Sequence, residues 1–157
     1  MVVSLVLMAM IWTMPALAWN EPLGFQDFPW GSSERTVKSR VEIIYCVDLS
    51  PISAAHRGYR SCTAPFAIGS VQTEATFTFR DGGLVSVDLH FGPGDFEAIK
   101  GILLDRYGQP SLEQPARLFW KGKLTSIILY RSRDRPEKAV ALFVEAKEEK
   151  ALLERNP

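Results

Sequence analysis

Two segments that alternate between apolar and polar residues flank a glycine-rich stretch in the middle of the chain. In Val71–Arg80 every even-numbered position is polar, and the odd-numbered positions carry valine, threonine, alanine and phenylalanine. Residues 85–91 continue the alternation, with Asp88 and His90 on the polar side. Successive side chains of a strand point to opposite faces, and the intervening Asp-Gly-Gly adopts positive φ readily. The pattern predicts a β-hairpin with one face in a core.

The rest of the chain predicts helices and further strands around this hairpin. Periodicity and capping signals predict helices over residues 33–44, 96–107 and 146–154, and strands at about 63–68, 116–121, 124–131 and 137–145. The last of these strands is apolar on both faces, which is typical of a strand covered on both sides. Residues 48–59 and 109–115 are predicted to be loops. We therefore expect an α+β fold with about five to six antiparallel strands and helices on one face.

An internal similarity suggests how these elements are ordered. Residues 77–89 resemble residues 118–129 when one turn residue is deleted, so that Phe79 aligns with Trp120 and Leu89 with Leu129. A repeat would give the order α-βββ-α-βββ-α. Chance similarity between two amphipathic hairpins is the alternative, and it predicts the same kind of sheet.

Residues 1–18 have the composition of a secretory signal peptide. They contain no charged residue, and an apolar run is followed by Pro15 and then by Ala16-Leu17-Ala18. This apolar run and small-residue end predict export and cleavage, although the usual basic residues at the start are missing. An uncleaved membrane anchor is the alternative, because the run approaches the length of a span. We expect residues 19–157 to form a single domain that is periplasmic or secreted, without stable membrane insertion after cleavage.

The chain has two cysteines, Cys46 and Cys62. In an exported protein an even number of cysteines predicts a disulfide, and two buried free thiols are the alternative. The spacing is not C-x-x-C, so a redox site is not expected. Too few further ligands lie near the cysteines in sequence to predict a zinc site.

The search for catalytic chemistry yields one weak candidate. Asp88 and His90 lie two residues apart on the polar side of a predicted strand, with Ser86 on the same side and Thr76 or Thr78 as cross-strand neighbours. A carboxylate beside an imidazole could support acid–base chemistry, but Ser86 and His90 are too far apart along a strand for a direct hydrogen bond. An ordinary solvent-facing polar surface is the favoured alternative. We assign no catalytic residue, cofactor or metal.

Aromatic residues and charge bear on binding. Phe25, Phe28 and Trp30 lie in a Pro- and Gly-rich segment, and they either pack an N-terminal arm onto the core or form an exposed groove. The 18 basic and 18 acidic residues balance, so nucleic acid is not an expected partner. Arg131, Arg133 and Arg135 form the nearest approach to a basic patch, although Asp134 and Glu137 favour a solvated loop.

Several short motifs resemble those of a broad class of small bacterial periplasmic domains of unknown function. They are residues 24–33 (GFQDFPWGSS), the cysteine pair, residues 77–84 (FTFRDGGL), residues 103–110 (LLDRYGQP) and residues 120–129 (WKGKLTSIIL). The resemblance implies a similar exported domain and no particular activity. Similar layouts of helix and β-meander occur in envelope assembly modules and in proteinaceous enzyme inhibitors, which is an analogy of fold alone.

These observations predict a non-enzymatic envelope protein that binds another envelope protein or a cell-wall component. Its possible binding surface comprises Phe25, Phe28, Trp30, Asp88 and His90. One alternative is a small periplasmic hydrolase that uses His90 and Asp88. The other is a structural envelope component without a specific ligand.

Overall fold

The computed structural model describes residues 19–151. The predicted signal peptide lies outside the described residues, as does the end of the predicted last helix with its expected anchors, Leu152 and Leu153. Among residues 19–151, no helix is long and apolar enough to cross a membrane.

The architecture is one large antiparallel sheet with few helices. A two-stranded hairpin, β1 (Gly24–Phe25) and β2 (Phe28–Pro29), precedes it. The sheet strands are β3 (Tyr45–Asp48), β4 (Tyr59–Ile68), β5 (Val71–Arg80), β6 (Gly83–Phe91), β7 (Leu112–Gln114), β8 (Arg117–Lys121), β9 (Thr125–Arg131) and β10 (Ala139–Glu145). They form an eight-stranded sheet in the order β3-β4-β5-β6-β10-β9-β8-β7. Two meanders therefore meet at the central β6–β10 pair.

The mixed α and β composition with an antiparallel sheet is confirmed, but the expected strand number and order are wrong. The sheet has eight strands because β3 forms between the predicted first helix and the predicted loop 48–59, and β7 forms within the predicted loop 109–115. Each helix is followed by four strands, so the α-βββ repeat is absent from the described fold. The two similar hairpins, β5–β6 and β8–β9, also occupy different positions, since β6 is central and β9 is one strand away from the centre. Their similarity reflects shared hairpin patterning.

The two α-helices differ in how well local sequence predicts them. Helix α2 spans Phe96–Tyr107 as predicted and ends at Gly108, whose φ is 82°. Helix α1 spans only Glu34–Lys38, although its predicted N-cap is confirmed, since the Ser33 side chain accepts a hydrogen bond from the Thr36 amide. The predicted continuation to residue 44 is wrong. The Ile44 amide donates to the Thr63 carbonyl oxygen on β4 over 2.8 Å, and residues 45–48 continue this pairing with β4. Strand pairing overrides helical spacing here.

The core lies between the sheet and the helices. Phe25 is fully buried, and its ring lies 5.9 Å from that of Phe77 and 5.0 Å from that of Phe143. The N-terminal arm therefore packs onto the core. Its conformation is held by hydrogen bonds to the β8–β9 turn: Glu21 Oε1 accepts from the Leu124 and Thr125 amides, and Trp30 Nε1 donates to Thr125 Oγ1 over 2.8 Å.

A β-bulge in β6 reverses the sheet face on which one predicted core residue lies. The register shifts between Thr78 and Phe79, so that Thr78 pairs with Ser86 and Phe79 pairs with Leu84. Leu84 therefore belongs to the main core cluster and Val85 does not, contrary to the simple alternation. Beyond the bulge the alternation resumes, which places Ser86, Asp88 and His90 on the opposite face from Val87 and Leu89.

The predicted disulfide is confirmed. Cys46 and Cys62 are directly opposite in the β3–β4 register, and their Cα atoms are 4.0 Å apart. The bridge ties the short edge strand β3 to the long strand β4. It therefore also closes the loop that follows β3, which contributes to the site described next.

Candidate functional site

The sheet face opposite the helices carries a cleft of about 500 Å³. Its floor is formed by β4, β5, β6, β10 and β9. The β3–β4 loop contributes Leu49, Ile52 and His56 to its wall, and the β9–β10 loop contributes Ser132, Arg135 and Lys138. We call this cavity the sheet cleft.

One half of the cleft floor is polar. Thr76 on β5 is directly opposite Asp88 on β6, and both line the cleft. Ser61 on β4 and Thr78 on β5 are also cross-strand partners, and their hydroxyl oxygens are 3.3 Å apart. The long alternating strands thus bring together hydroxyl groups and one carboxyl group, as the cross-strand prediction for Thr76 and Thr78 anticipated.

The other half of the floor is apolar. Val140 on β10 is opposite His90, and Tyr130 on β9 is opposite Val140. Two residue pairs along, on the same face, Leu142 is opposite Asp88 and packs with Ile128 in a second, smaller apolar cluster. The polar and apolar halves therefore meet along β6 and β10. Such a surface can contact a ligand with both hydrogen bonds and hydrophobic area.

The charged groups of the cleft do not pair with one another. Within the described residues, the Asp88 side chain makes no hydrogen bond or ion pair, and the side chains of Arg135 and Lys138 make no ion pair. The backbone holds the basic loop in place: the Arg135 amide donates to Ser132 Oγ over 3.1 Å, and the Lys138 amide donates to the Arg135 carbonyl oxygen over 2.8 Å. A carboxyl group and two cations are therefore available to a ligand.

The cleft shifts the titration of three of its groups. Burial raises the pKa of the Asp88 carboxyl from its usual 3.8 to about 7. Burial lowers the pKa of His90, with further lowering by Lys138 and Arg135 and opposition from Glu74. Burial also raises the pKa of Tyr130, and the neighbouring charge of Asp88 adds to this effect. In each case loss of solvent disfavours the charged form.

The predicted binding residues separate into two groups. Asp88 and His90 lie together in the cleft, on the same face as expected. Phe25 and Phe28 are buried in the core, so in this fold they present no ring to a ligand. Trp30 lines a different surface hollow of about 630 Å³, together with Arg80, Asp81 and Glu148.

The Trp30 hollow is a weaker candidate because its charges are already paired. Arg80 Nη1 is 2.6 Å from Glu148 Oε1, and Lys147 Nζ is 2.8 Å from Glu145 Oε1. A ligand would have to displace these ion pairs. The sheet cleft requires no such displacement, so we take it as the candidate site.

Sequence reasoning missed most of the cleft's walls. Tyr130, Lys138, Leu49 and Ile52 were not singled out, and Arg135 was noted only as part of a weak basic patch. The arginine-rich segment was the one available signal. No local pattern shows that two loops far apart in sequence fold over the same sheet face.

The cleft has little of the geometry of a hydrolase. Ser86 is fully buried, and its hydroxyl has no hydrogen-bond partner among the described residues. His90 likewise has no side-chain hydrogen bond within this part of the chain, so nothing orients its ring against a nucleophile. Elsewhere Glu34 lies close to Cys46 and Cys62, but these sulfur atoms form the disulfide and are not free to bind a metal.

We compared the chain with protein-family models, curated proteins and solved structures. None of the three comparisons gave a match. The resemblance to small periplasmic domains therefore stays a prediction.

Proposed function

We propose that the protein is an exported, non-enzymatic binding protein whose sheet cleft holds a short peptide segment, presented by the cell wall or by another envelope protein. A peptide combines hydrogen-bonding groups, charged ends and apolar side chains. The cleft offers the complement of each: hydroxyl groups and Asp88 on one half, Val140 and Tyr130 on the other, and cations at the β9–β10 loop.

The unpaired charges of the cleft carry this proposal. An ionised group that is partly removed from water and lacks a partner lowers stability. Asp88 bears such a cost on the floor of the cleft, and Arg135 and Lys138 line the same cavity without an anionic partner among residues 19–151. A bound cation that pairs with Asp88 would offset this cost, which favours a binding role over a purely structural one.

The disulfide supports export, because such bridges form and persist in oxidising compartments. We place the mature protein in the periplasm or outside the cell. Intact-mass analysis of the exported protein tests this placement. We expect loss of residues 1–18 and the mass of the oxidised cysteine pair, whereas retention of Met1 with two free thiols would contradict export.

A cleft-blocking variant tests the binding function. Thr76→Phe introduces a ring into the floor of the cleft, and Gln72→Phe places the same ring on the same strand outside it. Thermal shift and NMR titration with cell-wall peptides and envelope-derived peptides should detect binding to wild type and to Gln72→Phe but not to Thr76→Phe. Equal binding by all three proteins, or no binding to wild type, would overturn the proposal.

A further inference from the structure

We infer that the ligand of the sheet cleft is a zwitterion, in which an aliphatic chain joins an ammonium group at the inner end to a carboxylate at the outer end. This inference rests on the binding function proposed above. It specifies the chemistry of the part of the peptide that enters the cleft.

Asp88 selects the ammonium group. An ionised carboxylate only accepts hydrogen bonds, and an ammonium group only donates them. Thr76, directly opposite Asp88 on β5, offers a hydroxyl oxygen as a second acceptor. Asp88 is the one carboxylate among the described residues that lines the cleft, and a single carboxylate is too few ligands for a calcium or magnesium ion, which prefer several oxygen donors. A compact cation on a slender chain therefore fits this end of the cleft.

Arg135 and Lys138 select the carboxylate. Both cations act electrostatically on His90, and both side chains lack an ion-pair partner within residues 19–151. Cations in this position form charge-assisted hydrogen bonds with a carboxylate, and the arginine can do so through two nitrogen atoms. A ligand anion placed here would also shield His90 from the two positive charges.

The spacing between the two ends excludes a short ligand. Asp88 and His90 are two residues apart on one strand, which separates them by about 7 Å. Lys138 precedes Ala139, which is opposite Phe91. Along β6 one therefore meets Asp88 first, then His90, and then the position next to the basic loop. The ammonium and carboxylate of a free α-amino acid are too close together to reach both ends. A chain of several methylene groups can span them.

Apolar side chains line the path between the two ends. Val140 and Tyr130 form the floor, and Leu49 and Ile52 line the wall from the β3–β4 loop. Methylene groups that leave water for this surface contribute favourably to binding. The middle of the ligand is therefore expected to be aliphatic.

Ammonium binding should depend on pH through Asp88. Burial places the pKa of this carboxyl at about 7, and only the ionised form attracts an ammonium group. The titratable and charged groups that line the cleft with Asp88 are His90 on β6, Tyr130 on β9, His56 in the β3–β4 loop, and Arg135 and Lys138 in the β9–β10 loop, while Glu74 on β5 is opposite His90. Affinity for an amine should rise between about pH 5 and pH 8 as Asp88 loses its proton.

Three small probes test the inference on the wild-type protein. They are 6-aminohexanoate, hexylamine, which lacks the carboxylate, and hexanoate, which lacks the amine. NMR titration at pH 8 should show 6-aminohexanoate binding about 10- to 100-fold more tightly than either single-ended probe, as expected when a charge-assisted hydrogen bond is lost. Equal affinity for the three probes would overturn the inference.

Variants then assign each end of the probe. In Asp88→Asn, 6-aminohexanoate and hexanoate should bind equally well, and the rise of affinity with pH should vanish. In Arg135→Gln/Lys138→Gln, 6-aminohexanoate and hexylamine should bind equally well. Asp105→Asn, on the exposed side of α2, serves as the control and should behave as wild type. An unchanged probe preference in Asp88→Asn would overturn the assignment of the ammonium to this residue.

The two proposals fail in different ways. If peptides bind wild type but not Thr76→Phe, while the three probes bind alike, the cleft is a binding site and the zwitterion inference is wrong. If Thr76→Phe leaves all peptide and probe binding unchanged, the binding function of the cleft is wrong as well.

Discussion

At the scale of single residues, the Asp88 carboxyl group is accessible to a ligand, but its burial lowers the stability of the protein when the group is ionised. Its neighbours across the sheet are Thr76 on one side and Leu142 on the other, and neither supplies a positive charge. Without a cation at hand, burial favours the protonated carboxyl. Free of ligand, the protein therefore loses stability as pH rises from the unfolded-state pKa toward the folded-state pKa of Asp88, and a bound ammonium group would restore it.

Asp88→Asn should stabilise the free protein in a pH-dependent way. The folded-state pKa of about 7 lies above the usual 3.8, so the folded state binds more protons and the free energy of unfolding falls as pH rises through this window. The variant lacks this loss. We expect its advantage over wild type to grow by about 2 kcal/mol from pH 4 to pH 8, less than the full shift implies because the Asp88 side chain is only partly buried. Urea unfolding at several pH values measures it, and a pH-independent difference would contradict the argument.

Ser86→Ala should also stabilise the protein slightly. The Ser86 hydroxyl is fully buried and has no hydrogen-bond partner in the described part of the chain, so it bears an unrecovered desolvation cost. Its removal should raise the free energy of unfolding by about 0.5 to 1 kcal/mol. Thermal or urea unfolding provides the measurement, with Ser70→Ala in the exposed β4–β5 turn as the control. A loss of more than about 1 kcal/mol would show that the hydroxyl has a partner.

At the scale of elements, the segment after β10 is held across the end of the sheet by side chains from distant strands. Glu148 is only 3% exposed, and it accepts hydrogen bonds from Tyr59 Oη over 2.8 Å and from Arg80 Nη1 over 2.6 Å. Next to it, Glu149 accepts from Ser126 Oγ over 2.7 Å. Hydrogen bonds to the carboxylates of Glu148 and Glu149 therefore hold the described part of this segment.

Glu148→Ala should detach this segment and lower stability. The change removes two hydrogen bonds to a buried ionised acceptor, and we expect a loss of about 2 kcal/mol in the free energy of unfolding. Hydrogen exchange should show faster exchange after Glu145 and little change within α2. Glu137→Ala, at an exposed position in the β9–β10 loop, is the control. A loss below about 0.5 kcal/mol would mean that the network contributes little.

At the scale of the whole molecule, the disulfide links the edge of the sheet to the sheet cleft. The edge strand β3 pairs only with β4, and the loop between them carries Leu49, Ile52 and His56 into the cleft wall. The central β6–β10 pair does not depend on the bridge. Loss of the bridge should therefore disturb the β3–β4 loop and the cleft wall more than it disturbs the central strands.

Cys46→Ala/Cys62→Ala tests this coupling. The cysteines are 16 residues apart, and closing a loop of this size contributes about 3 kcal/mol in the chain-entropy model. We expect a loss of that order, with hydrogen exchange accelerated over residues 45–58 and unchanged in β10. Cleft binding should weaken in parallel, and reduced wild type should behave like the double variant. Uniformly faster exchange across the sheet would contradict the local role of the bridge.

Features that depend on local periodicity or on composition could be predicted from the amino-acid sequence. The β5–β6 hairpin, the full extent of α2, the cysteine pair, the burial of β10 on both faces and the common face of Asp88 and His90 all follow from alternation, helical spacing or counting. The local backbone conformation sets the direction in which each side chain points, so these features can be predicted without information about distant contacts.

Long-range contacts set four features that local sequence did not predict. These are the short α1, the strands β3 and β7, the bulge that puts Leu84 instead of Val85 in the main core cluster, and the cleft. Residues 39–44 have helical spacing, yet the disulfide and pairing with β4 draw the next residues into the sheet. The bulge depends on register against β5, and the cleft depends on two loops about 80 residues apart that cover one face. Such features arise from competition between distant contacts, which local periodicity does not encode.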